Sequence, residues 1–201
     1  MHPNSTFTWT DHAAMHAFVN KRGFAHIFLA TAGDVHVAHA PVLVTEQGNL
    51  RFHLARANAL GKATEPGLAL ASISDVDFYV SPDWYELQDQ VPTWNYRAVE
   101  VRGSIRRMNE DELITLLDDL SALHEANLPP KPVWTRSKMR PGVFETALKG
   151  IIGYELITES WQGTQKFAQN KRMASRESVA SALEALGRND AAAAMTAMMQ
   201  S

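Results

Sequence analysis

The stretch VPTWNYRAVEVRGSIRRM, residues 91–108, indicates more about the fold than any other part of the sequence. From Val99 onwards it alternates apolar and polar residues with the period of two that a half-buried β-strand shows. Gly103 marks a point where such a strand can kink around a barrel. The residues at its start include a proline, two aromatic rings and an amide. A protein core seldom needs that mixture, so this corner is a candidate site for a flat ligand with polar edges.

The runs before this strand predict further antiparallel strands. Apolar or alternating runs at 24–31, 35–44 and 49–55 are separated by Ala-Gly-Asp and Glu-Gln-Gly, which are turn signals. This spacing predicts a three-stranded meander. The remaining strands are predicted at 67–74, 76–81, 151–160 and 164–168, the last two as a closing hairpin around Gln162 and Gly163.

Helices are predicted beside and after the strands. Asn109 and Glu112 have the spacing of a capping box, and the leucines that follow form one apolar stripe. The other helices are predicted at 10–23, 141–149, 175–186 and 190–199. Six or more antiparallel strands followed by helices, without strand–helix alternation, favour a mainly β or α+β fold, an antiparallel barrel of six or more strands with peripheral helices.

Composition limits the classes of protein to which the chain can belong. Its 201 residues suit one domain, and it contains no cysteine for disulfides, thiolate metal sites or nucleophiles. No apolar run approaches the roughly 18 residues of a membrane span, and no secretory signal is visible at the amino terminus. We therefore expect a soluble, cytoplasmic protein with no membrane partner.

Charge favours a small anion over a nucleic acid. The net charge of −3 argues against a protein that coats DNA or RNA. Two local segments, 49–62 and 161–176, nevertheless carry cations without acids. In the first of them, Arg56 and Lys62 follow the end of a strand, where a planar guanidinium and a mobile ammonium can together hold a phosphate dianion.

The histidines and the remaining motifs predict neither a metal site nor a catalytic residue. His36 and His39 are three apart on a strand and so face opposite sides, which argues against shared metal ligation. A meeting of His26 and His36 across the first hairpin is one alternative, but no carboxylate pattern accompanies it, so histidines satisfied within the barrel are favoured. The sequence contains no glycine-rich dinucleotide fingerprint, no triphosphate-binding lysine loop and no serine nucleophile elbow.

Five motifs occur in an order and spacing that are specific to a known family. They are the segments 53–58, 79–85, 91–96, 148–151 and 169–170. Across nearly its whole length the chain resembles the PaiB-type family of FMN-binding proteins, and the Val-Pro-Thr-Trp-Asn-Tyr block is the strongest match.

The resemblance implies a fold, a cofactor and an assembly. The fold would be a split β-barrel like that of the pyridoxamine phosphate oxidases, and FMN would lie at the interface of a homodimer. We expect the barrel domain to cover 1–168 and a helical extension packed on it to cover 169–201. The family is described as a negative transcriptional regulator, which implies a regulatory role.

The resemblance also assigns candidate FMN-binding residues. On the phosphate side they are Arg56, Asn58 and Lys62. On the ribityl or ring side they are Ser81, Trp84, Trp94 and Asn95, and the block after the last strand adds Gln169 and Asn170. The chain departs from the family pattern at Ala59, Gly61 and Ala168; the alanine at 168 removes a serine hydroxyl and with it a hydrogen bond typically worth ~1 kcal/mol.

Other functions compete with the regulatory one. An FMN-dependent oxidoreductase would take hydride from a reduced nicotinamide. A haem protein, ranked last, would use one of the four histidines His26, His36, His39 or His53 as a ligand. For a regulator, nucleic-acid contact is expected to be indirect or weak, because only the segment 166–176 offers cations to a phosphate backbone.

Overall fold

The computed structural model of the protein describes residues 2–31, 34–62 and 67–200, without the side chains of Thr31 and Lys62. In these residues the strands are β1 (Thr8–Trp9), β2 (Phe24–Thr31), β3 (Asp34–Val44), β4 (Leu50–Ala55), β5 (Leu68–Val80), β6 (Thr93–Arg107) and β7 (Ile151–Lys166). The helices are α1 (His12–Arg22), α2 (Glu110–Glu125), α3 (Val143–Leu148), α4 (Met173–Ala185) and α5 (Asn189–Gln200). None of these helices is long and apolar enough to cross a bilayer.

The strands form one antiparallel sheet. β2 pairs with β3 from Phe24↔Pro41 to Thr31↔Asp34, and β3 pairs with β4 at Val42↔Phe52, which confirms the predicted meander. The strand order is β1-β7-β4-β3-β2-β5-β6, and β6 pairs in addition with β7. β6, the last strand in this order, thus pairs with β7, the second, so the hydrogen-bonded strands form a closed ring, as in a barrel. The prediction of an α+β antiparallel barrel of six or more strands is confirmed.

The predicted closing hairpin is wrong. Residues 151–166 form a single strand, β7, which does not turn at Gln162 and Gly163. The physical reason is pairing: Gly163 lies opposite Trp9 of β1, a two-residue strand that no sequence pattern predicts. The short runs at 67–74 and 76–81 likewise belong to one strand, β5.

The chain forms two compact units. The first comprises Met1–Asp11, Ser74–Val99 and Gln162–Ser201, and the second comprises His12–Ile73 and Glu100–Trp161. The predicted boundary at residue 168 stays a prediction.

The second unit is built on strands with one buried face. Leu50, Phe52 and Leu54 alternate with more exposed residues along β4, as period-two geometry requires. Gly103 of β6 faces β7 so closely that a β-carbon would lie 2.0 Å from the carbonyl oxygen of Ile157. Glycine at 103 thus permits a close approach of two backbones, which is more than the kink expected from the sequence.

The first unit has its own core around the C-terminal helices. Phe78 and Phe167 are both fully buried, with ring centroids 6.2 Å apart. Leu183 of α4 and Met195 of α5 belong to the same buried cluster. The two predicted C-terminal helices are confirmed, and they pack against each other in this unit.

The start of α2 is fixed by a capping box and an ion network in the second unit. Asn109 Oδ1 accepts from the Glu112 amide at 2.9 Å, and the Glu112 carboxylate accepts from the Asn109 amide at 2.8 Å, which confirms the predicted box. Arg106 donates to Glu112 Oε1 at 2.7 Å and also to buried Glu155. The hydrogen bond from Arg106, aided by that from the Asn109 amide, lowers the pKa of Glu112 from 4.5 to about 2.

This network predicts an acid-sensitive contribution to stability. Because the pKa of Glu112 falls from 4.5 to about 2 on folding, its contribution is complete above pH 4.5 and is lost as the pH falls towards 2. Glu112→Gln should lower the free energy of unfolding by about 1 kcal/mol at pH 7, the upper end of what a partly exposed ion pair contributes. Urea denaturation of both proteins at pH 7 and at pH 3 measures this difference in unfolding free energy, which should be smaller at pH 3. Asp119→Asn, an exposed change on the same helix, is the control, and equal loss in both variants would contradict the prediction.

Candidate functional site

Arg56 lies at the end of β4, where a turn begins in the second unit. Its backbone amide donates to the carbonyl of Gly150 at 2.8 Å. Its guanidinium donates from Nε to the carbonyl of Lys149 at 3.0 Å and from Nη2 to that of Ile151 at 3.1 Å. The side chain is nevertheless exposed. The structure therefore holds a cation in a fixed orientation at the surface.

The residues after Arg56 close a tight turn, which we call the basic turn (residues 55–62). Asn58 Oδ1 accepts from the Leu60 amide at 2.9 Å, and the Asn58 amide donates to the carbonyl of Ala55 at 2.9 Å. A β-carbon at Gly61 would lie 2.8 Å from that same carbonyl oxygen. The departure from the family pattern at Gly61 thus fits the backbone of this turn. The side chain of Lys62 lies outside the described residues.

Two side chains from other strands also contact the basic turn. The Tyr154 hydroxyl donates to the carbonyl of Leu60 at 3.3 Å, and Arg107 Nη2 donates to that of Gly61 at 3.2 Å. No pattern in the sequence indicated either residue. Tyr154 lies opposite Phe52 in the pairing of β7 with β4, and this register is known only once the sheet pairing is known.

A cleft of about 610 Å³ lies beside Arg56 within the second unit. Its walls include the buried side chains of Leu113, Leu148 and Ile152 together with Lys149. The cleft is lined by Arg56, Met108, Asn109, Glu110, Leu113, Ile114, Arg136, Phe144, Glu145, Leu148, Lys149, Ile151, Ile152 and Gly153. Apolar surface and cations therefore occur together next to the basic turn.

The aromatic residues predicted to line the pocket belong to the first unit, and they differ in exposure. Trp94 is 55% exposed and Tyr79 is 43% exposed, with ring centroids 6.3 Å apart in an edge-to-face arrangement. Trp84 is half-buried against the core cluster. Ser81 begins the short 3-10 helix Pro82–Tyr85 without a side-chain capping bond. The exposed pair Tyr79 and Trp94 offers an aromatic surface to a flat ligand.

Asn95 is fully buried in the first unit. Its Nδ2 donates to Met195 Sδ at 3.4 Å, and its Oδ1 has no hydrogen-bond partner among the described residues. A buried amide oxygen without a partner is costly. The structure thus places this predicted site residue against α5.

Gln169 and Asn170 follow β7 and differ in accessibility. Gln169 Oε1 accepts from the Phe167 amide at 2.8 Å, and its Nε2 donates to the carbonyl of Gln165 at 2.6 Å. The side chain of Gln169 therefore closes a local turn, in which Ala168 has a positive φ of 59°. Asn170 is exposed.

The cations of the segment 166–176 are mostly engaged within the first unit. Lys166 Nζ donates to Thr93 Oγ1 at 2.5 Å, and burial lowers the pKa of this ammonium. Lys171 Nζ donates to Gln90. Arg176 is 8% exposed, and burial lowers its pKa. Arg172 is the exposed member of this group, so the segment does not form a continuous basic surface.

His26 and His36, which the sequence left as a possible pair, do not meet across the first hairpin. His26 lies opposite His39, with ring centroids 4.7 Å apart, while His36 lies opposite Leu29. Burial lowers the pKa of His53. Within residues 2–31, 34–62 and 67–200, no group of three or more histidine, aspartate or glutamate side chains is placed to hold a metal ion.

Residues 1–160 match the model of a protein family described as "Putative FMN-binding domain". The chain belongs to this FMN-binding domain family. Membership confirms the resemblance drawn from the five motifs, and it confirms the predicted cofactor, FMN or a related flavin. The chain is also similar to protease synthase and sporulation protein PAI 2 of Bacillus subtilis, with 27% identity over 158 residues, 77% of this chain and 75% of that protein.

Solved structures of flavoproteins share the fold. The structure of the FAD and heme binding protein from Mycobacterium smegmatis matches 79% of this chain and 73% of its own, with a TM-score of 0.57 and 16% identity. The structure of a flavocytochrome from Azotobacter vinelandii matches 83% of this chain and 72% of its own, with the same TM-score and identity. This member of the FMN-binding domain family thus has the fold of split-barrel flavoproteins.

Two features of the structure fit a flavin carrying a phosphate. The fixed, exposed guanidinium of Arg56 suits a phosphate dianion, because charge-assisted bonds to a planar fork are strong and directional. The exposed rings of Tyr79 and Trp94 suit a flat heterocycle. The buried Asn95 and the turn-closing Gln169 fit a supporting position better than direct contact.

The burial of Asn95 predicts a stability effect that needs no flavin. Asn95→Asp should lower the free energy of unfolding by about 3 kcal/mol at pH 7, because it would bury a carboxylate where a neutral amide now meets a thioether. Urea denaturation of the flavin-free protein measures the change. Asn170→Asp introduces the same charge at an exposed position and should shift stability by at most about 0.5 kcal/mol. Similar losses in the two variants would contradict the buried placement.

Proposed function

We propose that this protein is a PaiB-type regulator that binds FMN at the interface of a homodimer. The observation that carries the proposal is the basic turn, where hydrogen bonds to two carbonyls fix the guanidinium of Arg56 at the surface. Such a cation is oriented before any ligand arrives, which reduces the cost of binding.

The residues assigned by the resemblance take distinct parts in this proposal. Arg56, Asn58 and Lys62 serve the phosphate, and Trp94 with Ser81 and Trp84 serves the ribityl chain or the ring. Exposed Asn170 can reach the ligand directly. Asn95 and Gln169, whose side chains bond to Met195 and to local backbone, act by holding their neighbours in place. Bound FMN would supply a redox-active ring that these residues orient.

An apolar sheet face supports the homodimer. We define this face by Phe24, Phe28, Val35, Val37, Leu68 and Leu70 on β2, β3 and β5. Phe28 lies opposite both Val37 and Leu70, so these side chains share one face. Val35 and Leu68 are 67% and 66% exposed. Exposed apolar side chains grouped in this way mark an interaction site, and a second copy of the chain is the occupant we propose.

The regulatory role rests on the similarity to the protein named protease synthase and sporulation protein PAI 2. Buried Arg176 and the engaged side chains of Lys166 and Lys171 favour action through a protein partner over direct contact with DNA. In this proposal the flavin-loaded dimer is the form that the partner recognises.

Replacing Arg56 should weaken binding of FMN but not of riboflavin, which lacks the phosphate. For Arg56→Met we expect a dissociation constant for FMN at least about tenfold higher, equal to about 1.4 kcal/mol, with little change for riboflavin. Titration of flavin fluorescence measures both. Arg140→Met removes an exposed cation elsewhere in the second unit and is the matched control. Wild-type protein that binds no FMN would reject the proposed function.

The same variant tests the regulatory role in cells. In a strain that lacks the gene, wild-type protein should restore the transcript profile and Arg56→Met should not, provided that both accumulate to the same level. Full restoration by Arg56→Met would show that regulation does not require the bound flavin.

A charge in the apolar sheet face should disrupt the dimer. Val37→Lys places an ammonium opposite Phe28 and should convert dimer to monomer, because a desolvated charge opposes association. Light scattering after size-exclusion chromatography measures the mass. Val133→Lys is the control, since both valines are 48% exposed. A monomeric wild type, or a dimer that survives Val37→Lys, would reject this face as the interface.

A further inference from the structure

The basic turn is held by side chains that lie far from it in the sequence. Tyr154 of β7 reaches the carbonyl of Leu60 across 94 residues of chain, and Arg107 at the end of β6 reaches that of Gly61 across 46. Both bonds act on consecutive peptide groups. They therefore restrain the second half of the turn from two separate strands.

The restraint on the peptide groups at 60 and 61 also limits the positions of Asn58 and Arg56. Leu60 donates its amide to Asn58 Oδ1, and Asn58 donates its own amide to the carbonyl of Ala55. Gly61 lies so close to the carbonyls of Ala55 and Arg56 that a β-carbon would fall 2.8 and 3.1 Å from their oxygens. A shift of the peptide groups at 60 and 61 would thus displace Asn58 and the backbone of Arg56.

The two restraining side chains differ in environment. Tyr154 is 3% exposed, and its ring stacks on Phe52 with centroids 5.7 Å apart, so the ring is fixed independently of the hydroxyl. Loss of that hydroxyl would leave the Leu60 carbonyl without this bond while the packing remains. Arg107 is exposed and brings a positive charge to the same turn.

We propose that Tyr154 and Arg107 are positioning residues that hold the basic turn in the shape that receives the phosphate of FMN. They thereby set the preference of the protein for FMN over riboflavin. This inference rests on the proposed function and assigns its specificity to two residues outside the predicted site. The turn is ordered before the ligand binds, so binding does not have to order it.

The test compares FMN with riboflavin in single variants. Tyr154→Phe removes one hydroxyl, and Arg107→Met removes the fork and the charge. Each should raise the dissociation constant for FMN about tenfold and change that for riboflavin less than about twofold, as measured by fluorescence titration. Tyr85→Phe, at a buried tyrosine of the first unit, and Arg102→Met, on the same strand as Arg107, are the controls and should bind both flavins like wild type.

Further variants separate positioning from charge and from general stability. Arg107→Lys keeps the positive charge but lacks the planar guanidinium. If Arg107 acts by positioning, the affinity of Arg107→Lys for FMN should lie between those of Arg107→Met and wild type. Thermal unfolding of each flavin-free variant shows that it is folded. Equal loss of FMN and riboflavin affinity, or unchanged FMN affinity in both Tyr154→Phe and Arg107→Met, would overturn the inference while leaving wild-type FMN binding intact. Wild-type protein that binds neither flavin would overturn the proposed function and this inference together.

Discussion

The fold depends on β7, whose backbone must find hydrogen-bond partners on more than one neighbouring strand. Its first half pairs with β4 from Ile151 to Leu156, its end pairs with β1, and it also pairs with β6. An open strand edge would leave backbone groups available for aggregation. The pairing with β6 requires glycine at position 103, because the β-carbon of any other residue would clash with the carbonyl of Ile157.

Local signals in the sequence predicted local structure correctly, and long-range pairing explains where they failed. The capping box at Asn109 and the first meander depend on residues close in the chain, so their patterns sufficed. Gln162 and Gly163 resemble a turn, yet pairing with β1 keeps them extended, and that partner lies more than 150 residues away. The basic turn was visible as charge and amide, whereas Tyr154 became relevant only through the register of β7 with β4.

The residues proposed for flavin binding differ in accessibility: some side chains are exposed to a ligand, and others are bonded to neighbouring groups of the protein. Arg56 and Trp94 are exposed and already oriented by neighbours, one by carbonyl oxygens and the other by Tyr79. Asn95, the residue after Trp94 in the Val-Pro-Thr-Trp-Asn-Tyr block, points into the core and contacts Met195. Successive side chains on a strand point in opposite directions, so adjacent residues of one motif can lie on different faces, one exposed and one buried. Motif residues should not all be read as ligand contacts.

The composition of the first unit has a consequence for synthesis on the ribosome. This unit draws Ser74–Val99 from the middle of the chain and Gln162–Ser201 from its end. Phe78 and Val80 are buried by Phe167, Leu183 and Met195, which are translated roughly a hundred residues later. Until those residues emerge, the middle segment has no core to join. The apolar side chains of Phe78 and Val80 therefore wait for their partners over roughly a hundred residues of synthesis.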